Sequence, residues 1–215
     1  LITPLTDADL TRLRHAIATL APQAVAICLL YSFMDESEEQ ALAAALPPGP
    51  FVSCSSQVLP EYREYERGIA TWLNSWLGPL VSDYLGRLSA RTAPAPLTIM
   101  QSSGGTVAAE QARQRAVNLL LSGPAGGMAA ARHLADTLGE RQLITFDMGG
   151  TSTDVGLLSG GELTLTNEGR IGPYPVAVPM VDLHTIGAGG GSIAFLDDGG
   201  GLWVGPRSAG ALPGP

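Results

Sequence analysis

The sequence is organised around one stretch, Phe146-Asp147-Met148-Gly149-Gly150-Thr151-Ser152-Thr153-Asp154-Val155. Apolar runs lead into it and out of it, which predicts two strands joined as a hairpin over residues 142–159. Two adjacent glycines allow the backbone to turn tightly and to approach a ligand closely, because no Cβ stands in the way. Such a turn aims successive N–H groups at one point, and the three hydroxyls add donors. The stretch therefore predicts an anion site.

Two carboxylates flank the turn, at Asp147 and Asp154. They would repel a bare phosphate, so they make sense where a hard cation lies between carboxylate and phosphate, and Mg²⁺ is the usual cation. The residues therefore predict a hairpin that holds the phosphates of a metal–nucleotide complex. The alternative is an ordinary glycine-rich hairpin without a ligand.

The composition excludes several classes of protein. The formal charge of −8 argues against nucleic acid and against an anionic membrane surface as partners. All 12 basic residues are arginine, which excludes a phosphate-binding lysine and a Schiff-base lysine. The sequence has no signal-peptide pattern and no apolar run of about 18 residues, which favours a cytoplasmic protein. Cys28 and Cys54 are expected to be buried free thiols.

The first part of the chain is predicted to alternate helices and strands, which is the pattern of a parallel α/β layer. A cap signal at Thr6 precedes a helix that ends at Pro22, and the apolar run Ala24–Tyr31 predicts a central strand. A second helix opens at Asp35, and Phe51–Ser55 predicts another strand.

The longest helix is predicted over residues 61–91. Its apolar residues between Ile69 and Leu88 form a stripe of the kind that faces a core. Gly78-Pro79 should kink or split this helix. The charged and aromatic cluster at residues 62–67 is predicted to be a solvated face.

Three later features could contact a ligand. Strand Leu97–Gln101 ends in a Ser/Gly-rich turn. Ser122 is a candidate cap for a helix that runs to Leu138, and the N–H groups at its start would form a second anion-facing site. The loop Gly187–Ser192 is rich in glycine, which suits backbone lying against a ligand or a flexible turn.

The stretch Val181–Ile186 alternates and carries Asp182 and His184 on one face. Such a pair could hold a metal or transfer protons, and a hydrogen-bonded structural pair is equally open. Before it, Glu162–Thr166 predicts one strand, and the prolines at positions 173, 175 and 179 predict an irregular edge segment.

The motif Asp-x-Gly-Gly-Thr-x-x-Asp between two strands resembles the phosphate loop of the actin, sugar-kinase and heat-shock-chaperone ATPase fold. The whole stretch 146–155 is closer still to the hydantoinase A/5-oxoprolinase family, which includes N-methylhydantoinase A and acetone carboxylase subunits. Other strings resemble the same family: Leu59–Arg67, Thr71–Trp76, Ser122–Ala131, His184–Ala194 and Val204–Pro215.

The resemblance implies a partial actin-like ATPase fold of the α/β class, with mixed sheets flanked by helices. Residues 1–95 would complete a first lobe and residues 96–215 would begin a second. The implied parent is an ATP-dependent hydrolase that opens a cyclic amide or imide, such as hydantoin, N-methylhydantoin or 5-oxoproline. ATP and Mg²⁺ (or Mn²⁺) would be its cofactors, and a hydantoinase B-type subunit or domain its partner.

The resemblance also implies roles for particular residues. Asp147 and Asp154 would be catalytic, as ligands of the metal or of its water. Phosphate contacts would come from Gly149, Gly150, Thr151 and Ser152. The cleft would be lined by Ser122, Gly123, Gly187, Gly189, Gly190, Gly191 and Ser192.

The chain departs from the family pattern in three places. It lacks a first phosphate hairpin and the part that would close over adenosine, and Asp35–Glu39 stands where relatives have a His-containing segment. Because it begins at Leu1 and ends in a Gly/Pro-rich string, we expect an internal fragment, inactive alone, of an enzyme. Two alternatives stay open: a subunit of an acetone carboxylase-type ketone carboxylase, and a non-catalytic ATP-binding module.

Overall fold

The computed structural model describes residues 5–212 and 214, which form an α/β structure. Residues 1–4, 213 and 215 lie outside the described part, and so does the end of the Val204–Pro215 string. The helices are α1 (Asp7–Leu20), α2 (Ser37–Ala45), α3 (Ser55–Val58), α4 (Glu64–Thr92), α5 (Ala109–Gln114) and α6 (Ser122–Leu138), with a 3₁₀ turn at Ala116–Leu119. Within the described residues, no helix has the length and apolar character needed to cross a membrane.

The strands are short, and most belong to two-stranded sheets. In chain order they are β1 (Ala24–Ile27), β2 (Phe51–Cys54), β3 (Thr98–Met100), β4 (Thr106–Ala108), β5 (Gln142–Met148), β6 (Thr153–Ser159), β7 (Glu162–Leu163), β8 (Leu165–Thr166), β9 (Gly169–Ile171), β10 (Tyr174–Val176), β11 (Met180–Val181), β12 (Leu183–Ile186), β13 (Ser192–Leu196) and β14 (Leu202–Ser208).

Contacts divide the chain into two compact units. The first contains the residues up to Gln101, Thr106–Leu120 and Asn167–Pro179. The second contains Ser102–Gly105, Leu121–Thr166 and the residues from Met180 onward. The division into two lobes between residues 95 and 96 stays a prediction. The two units are defined by contacts between residues, and their boundaries lie at other positions.

The first unit contains the predicted parallel layer. β1 and β2 pair in parallel, with Ala24 opposite Phe51 and Ile27 opposite Cys54. Thr6 caps α1 in a capping box, as its sequence predicts. β3 pairs antiparallel with β4, and β9 pairs antiparallel with β10.

The predicted strand Ala24–Tyr31 is wrong at its C-terminal end, because β1 stops at Ile27. Two side chains form hydrogen bonds with the backbone N–H and C=O of Leu29, the groups with which a longer strand would have paired with its neighbour. The Leu29 N–H donates to Glu39 Oε1 over 2.8 Å, and the Leu29 carbonyl accepts from Arg67 Nη2 over 2.8 Å. The chain then turns through Tyr31 at φ 61°.

A buried polar network surrounds this turn, and it corrects the expectation of a solvated face at residues 62–67 for Arg67, whereas Tyr62 and Tyr65 of the same cluster are exposed. Arg67 is 0% exposed, and it donates to Ser55 Oγ and to the carbonyls of Leu29 and Glu61. Glu39 is also 0% exposed, and its carboxylate accepts from Ser55 and Ser56. Burial by itself raises the pKa of Glu39, but these hydrogen bonds and that of Leu29 lower it below its usual value.

The long helix α4 differs from its prediction in two ways. It is not split at Pro79, although a proline inside a helix costs about 3 kcal/mol locally, and a kink at this residue stays a prediction. The Phe51 ring packs against the neighbouring Gly78. Much of its apolar stripe does not face the core: Leu73 is buried, but Leu80 and Tyr84 are exposed, and Trp76, 69% exposed, stacks on the half-exposed Trp72. The buried face is largely polar or small, and includes Arg67, Ala70, Thr71, Leu73, Asn74, Ser75, Gly78 and Leu85.

The second unit contains a four-stranded sheet in which β6 pairs with β5, β7 and β12. Helix α6 packs on it through Met128, whose sulfur fills the space that a Cβ at Gly156 would need. Ala125, Met128 and Val181 form a buried cluster, against which Leu163 and Leu183 pack.

Three smaller expectations are also wrong. Glu162–Thr166 is not one strand, because Thr164 separates β7, which pairs with β6, from β8, which pairs with β11. The proline-rich segment is not simply irregular, since β10 forms a regular pair with β9. Cys28 is exposed rather than buried, because it follows the last residue of β1.

Candidate functional site

The predicted hairpin 142–159 is confirmed. β5 and β6 pair from Gln142 opposite Ser159 to Met148 opposite Thr153, and this register places Asp147 directly opposite Asp154. Side chains of directly opposed residues lie on the same face, with Cβ atoms about 5 Å apart. Two carboxylates in this arrangement repel each other unless a cation lies between them.

The turn between the strands is held by the second glycine-rich loop. The carbonyls of Gly149 and Gly150 accept from the N–H groups of Gly190 and Gly191 over 2.9 and 2.8 Å. A Cβ at Gly189 would lie 2.5 Å from the Gly149 oxygen and 2.9 Å from the Ser152 nitrogen. Glycine is therefore required at position 189 so that two backbone segments can touch.

This contact orients the free donors of the turn. In a trans peptide unit the C=O and the following N–H point in opposite directions. With the carbonyls of Gly149 and Gly150 directed at the loop, the N–H groups of Gly150 and Thr151 point away from it. Among the described residues, no atom accepts a hydrogen bond from these two N–H groups or from that of Ser152. They are available to an anion.

Thr185 supports one of the two carboxylates, and the sequence did not identify it as functional. It lies opposite Asp154 in the β6–β12 pair, and its hydroxyl donates to Asp154 Oδ1 over 2.6 Å. Thr153 in turn donates to the carbonyl of Ala188 over 2.7 Å, which fixes the end of β6 to the loop. Only the strand pairing brings Thr185 to this place, so its position in the sequence carries no signal.

A cavity of about 230 Å³ joins the two carboxylates to helix α6. It is lined by Asp147 and Asp154 and, from the first turns of the helix, by Pro124 and Gly127. The predicted cap at Ser122 is wrong: α6 begins at Ser122 itself, after Leu121 in a left-handed conformation at φ 58°, and no side chain caps it. The first N–H groups of this helix favour a negative charge nearby.

Asp182 and His184 lie apart from these donors. Both are exposed and line a depression of about 370 Å³ on the sheet, and no hydrogen bond joins their side chains among the described residues. Within that part of the chain, no group of three or more His, Cys, Asp or Glu residues could hold a metal. A metal site at this pair stays a prediction.

Comparison with known proteins identifies the family. The model of the family described as hydantoinase/oxoprolinase matches residues 67–215, which include the hairpin and the glycine-rich loop. The chain belongs to the hydantoinase/oxoprolinase family. The resemblance of its strings to that family is thereby confirmed.

Three relatives show the range of this family. Caprolactamase subunit alpha of Pseudomonas jessenii is 43% identical over 200 residues, covering 90% of this chain and 29% of the relative. The crystal structure of the ATP-dependent caprolactamase of that organism superposes with a TM-score of 0.86 and 40% identity, covering 99% of this chain and 32% of that one. The 5-oxoprolinase of Saccharomyces cerevisiae is 36% identical, covering 90% of this chain and 15% of the relative.

The third relative is an acetone carboxylase, whose nucleotide-free structure matches with a TM-score of 0.72 and 26% identity. That match covers 96% of this chain and 31% of the carboxylase chain. The chain therefore spans about a third or less of the length of each of these members of the hydantoinase/oxoprolinase family.

Proposed function

We propose that this chain carries the phosphate-binding part of an ATP-dependent hydrolase that opens a cyclic amide or imide. The observation that carries the proposal is the turn at residues 149–152, which presents free N–H groups beside two opposed carboxylates. A partial actin-like ATPase fold, with the hairpin as its second phosphate loop, is part of the same proposal. It is supported by the likeness to an ATP-dependent caprolactamase.

The donor set fits Mg²⁺, and Mn²⁺ in the same way. Mg²⁺ keeps several waters and is held by one or two carboxylates together with substrate phosphates, so it needs no cage of protein ligands. Asp147 and Asp154 would supply those carboxylates, directly or through water. When bound, the cation would neutralise phosphate charge, which is its main contribution to phosphoryl transfer.

The residues of the chain would bind the nucleotide and hold it in a fixed orientation. Gly150, Thr151 and Ser152 would donate backbone N–H groups to phosphate oxygens, and Thr185 would keep the Asp154 carboxylate turned toward the cavity. Binding the nucleotide in a fixed pose lowers the entropic part of the barrier. Activation of the amide carbonyl by ATP, followed by attack of water, then requires no covalent protein nucleophile.

A second candidate function is a part of an ATP-dependent ketone carboxylase, and the acetone carboxylase structure supports it. The two activities use the same phosphate site and differ in the acceptor. Assay of the protein with lactams and imides in parallel with ketone plus bicarbonate separates them. A non-catalytic ATP-binding module would bind nucleotide and show no substrate-stimulated phosphate release.

We further propose a cytoplasmic protein that works with a hydantoinase B-type partner subunit or domain. The support for a partner is that a relative with 43% identity is named as the alpha subunit of caprolactamase. Co-expression with the partner, followed by measurement of the ATPase rate of the complex and of the single subunit, tests this part.

The test of the phosphate site is calorimetric titration of the protein with Mg·ATP and Mg·ADP. Asp147→Asn and Asp154→Asn keep the side-chain shape and remove one charge each, and we expect either to weaken binding at least tenfold. Asp198→Asn is the matched control, since Asp198 is exposed in the β13–β14 turn. Equal affinities in all four proteins would refute a metal–phosphate role for the hairpin.

A further inference from the structure

Five large side chains of the first unit are exposed on two segments that are distant in the sequence. Each of them is at least 65% exposed. A single exposed apolar residue is normal on a protein surface, whereas a group of them in one place marks an interaction site. We call this group the aromatic surface, and its members are Leu30, Tyr31, Met34, Tyr62 and Tyr65.

One buried guanidinium brings the two segments together. Arg67 donates from Nη2 to the Leu29 carbonyl and from Nη1 to the Glu61 carbonyl, each over 2.8 Å. Leu29 directly precedes the first exposed residue of one segment, and Glu61 directly precedes Tyr62 of the other. The same guanidinium lies over the ring of Phe33, 5.5 Å from its centroid. The two halves of the aromatic surface are therefore adjacent, and they are attached to a fixed point.

Tyr31 is held in a backbone conformation that a bulky residue rarely adopts. Its φ of 61° lies in the left-handed region. The next residue, Ser32, is buried and forms a hydrogen bond with Ser55 Oγ over 2.9 Å, and the Tyr31 carbonyl accepts from the Met34 N–H over 2.9 Å. These contacts hold a strained turn whose aromatic ring stays 67% exposed. Strain of this kind is typical of positions that serve a binding function.

The charges around the aromatic surface have one predominant sign. Arg63 is the only basic residue in segments 30–38 and 59–66, and carboxylates lie at both of them. Asp35 and Glu36 are exposed beside the first segment, and Glu66 lies in the first turn of α4. Tyrosine and methionine are enriched in the centre of protein–protein interfaces, and charged side chains form the rim. The arrangement therefore fits a protein partner whose own rim is basic.

We propose that the aromatic surface is the docking site of the hydantoinase B-type partner subunit. Its apolar side chains occupy the centre of the interface, and its carboxylates face arginines and lysines of the partner. This inference rests on the proposed function, specifically on the proposed partner. It adds the surface of this chain that the partner contacts and the chemistry of the opposing face, which is an apolar centre within a basic rim.

The test is the dissociation constant of the full protein and the purified hydantoinase B-type subunit of the same organism, measured by biolayer interferometry. The double variant Leu30→Ser/Tyr62→Ser changes one residue in each segment, and we expect it to raise the dissociation constant at least tenfold, mainly through faster dissociation. Leu80→Ser is the matched control, because this leucine of α4 is 71% exposed and lies about 22 Å along the helix from Tyr65. It should bind as wild type.

Two further measurements examine the acidic rim and the location of the interface. Raising the ionic strength from about 0.05 to 0.5 M should weaken the wild-type complex, because salt screens the attraction between acidic and basic rims. Hydrogen exchange should show residues 29–34 and 60–66 protected in the complex and open in the free full protein. An affinity that does not change with salt overturns the role of the carboxylates.

The other outcomes separate this inference from the proposed function. A complex of wild-type affinity in the double variant, or an equal loss in Leu80→Ser, overturns the docking site while the partner stands. Protection of both segments already in the free full protein overturns it too, because another part of the same polypeptide then covers the surface. No complex with the wild-type protein refutes the partner itself. The phosphate site is tested apart from both, since the double variant should bind Mg·ATP as wild type.

Discussion

Glu39 provides a quantitative test of the buried network in the first unit, through the substitution Glu39→Gln. Its Oε1 accepts from the Leu29 N–H over 2.8 Å and from Ser55 Oγ over 2.6 Å. Its Oε2 accepts from the N–H and the hydroxyl of Ser56 over 2.9 and 2.8 Å. All four donors point at a fully buried carboxylate, so the site requires an acceptor at both oxygens.

The magnitude follows from what a glutamine can do in that place. With its oxygen at the position of Oε1, its NH₂ meets the two Ser56 donors, and the Ser56 N–H is left without an acceptor at a cost of about 1–3 kcal/mol. The two hydrogen bonds that remain lose their charge assistance, which together costs about 1–2 kcal/mol. We therefore expect Glu39→Gln to lower the free energy of unfolding by about 3 kcal/mol.

Urea denaturation followed by tryptophan fluorescence measures this change. Two of the three tryptophans, Trp72 and Trp76, lie in α4, so a Trp203→Phe background makes the signal report on the first unit. With a slope of about 2 kcal/mol per molar urea, the midpoint should fall by about 1.5 M. Glu38→Gln is the matched control on the same helix, and we expect it to cost less than about 0.5 kcal/mol.

The pH dependence gives a second, independent readout. Because folding lowers the pKa of Glu39 from its ordinary value of 4.5, the charge contributes stability above that pH, and this contribution is lost as the pH falls through the folded-state pKa. The difference between wild type and Glu39→Gln should therefore shrink on acidification below 4.5. A difference that does not change with pH, or a Glu39→Gln midpoint equal to that of Glu38→Gln, would refute the reasoning.

The remaining predictions concern the phosphate turn and the thiols. Gly189→Ala should weaken Mg·ATP binding at least tenfold, because its Cβ would overlap the backbone of the turn, whereas Gly68→Ala in α4, whose Cβ would make only an ordinary contact of 3.8 Å with Cys28 Sγ, should bind as wild type in the same calorimetric titration. Thr185→Val should weaken Mg·ATP binding about tenfold through the lost hydrogen bond to Asp154, and Thr185→Ser should restore it. Cys54, with its pKa raised to about 11, should resist alkylation at pH 8 while the other thiol reacts, as mass spectrometry of the labelled peptides would show.

The hairpin could be predicted from the sequence because each of its parts has a local cause. Two apolar runs of strand length flank two glycines, and a turn of this kind fixes the register that sets Asp147 opposite Asp154. The cap of α1 is local in the same sense, since Thr6 and Asp9 satisfy each other within one turn. In both of these elements the physical cause lies within the element itself, so the pattern was sufficient.

The parts that could not be predicted depend on contacts between distant residues. Arg67 lies in a run of charges that resembles a solvated helix face, yet backbone carbonyls of Leu29 and Glu61 hold it inside the first unit. Apolar periodicity also assigned the wrong buried face to α4, because that face carries polar side chains whose partners lie on other elements. Asn74 shows this, with partners on β2, α5 and the 3₁₀ turn.

The two glycine-rich motifs act as one structural element, although β6 to β12 separate them in the sequence. A phosphate near residues 149–152 would meet carbonyl oxygens as well as N–H groups unless the carbonyls were turned aside. The N–H groups of Gly190 and Gly191 donate hydrogen bonds to those carbonyl oxygens. The carbonyl oxygens, which would repel an anion, therefore point toward the loop and away from the face that a ligand approaches. The loop can therefore raise the affinity of the turn for an anion without touching it. Substitution at Gly189 should then change the nucleotide affinity without altering which nucleotide is preferred.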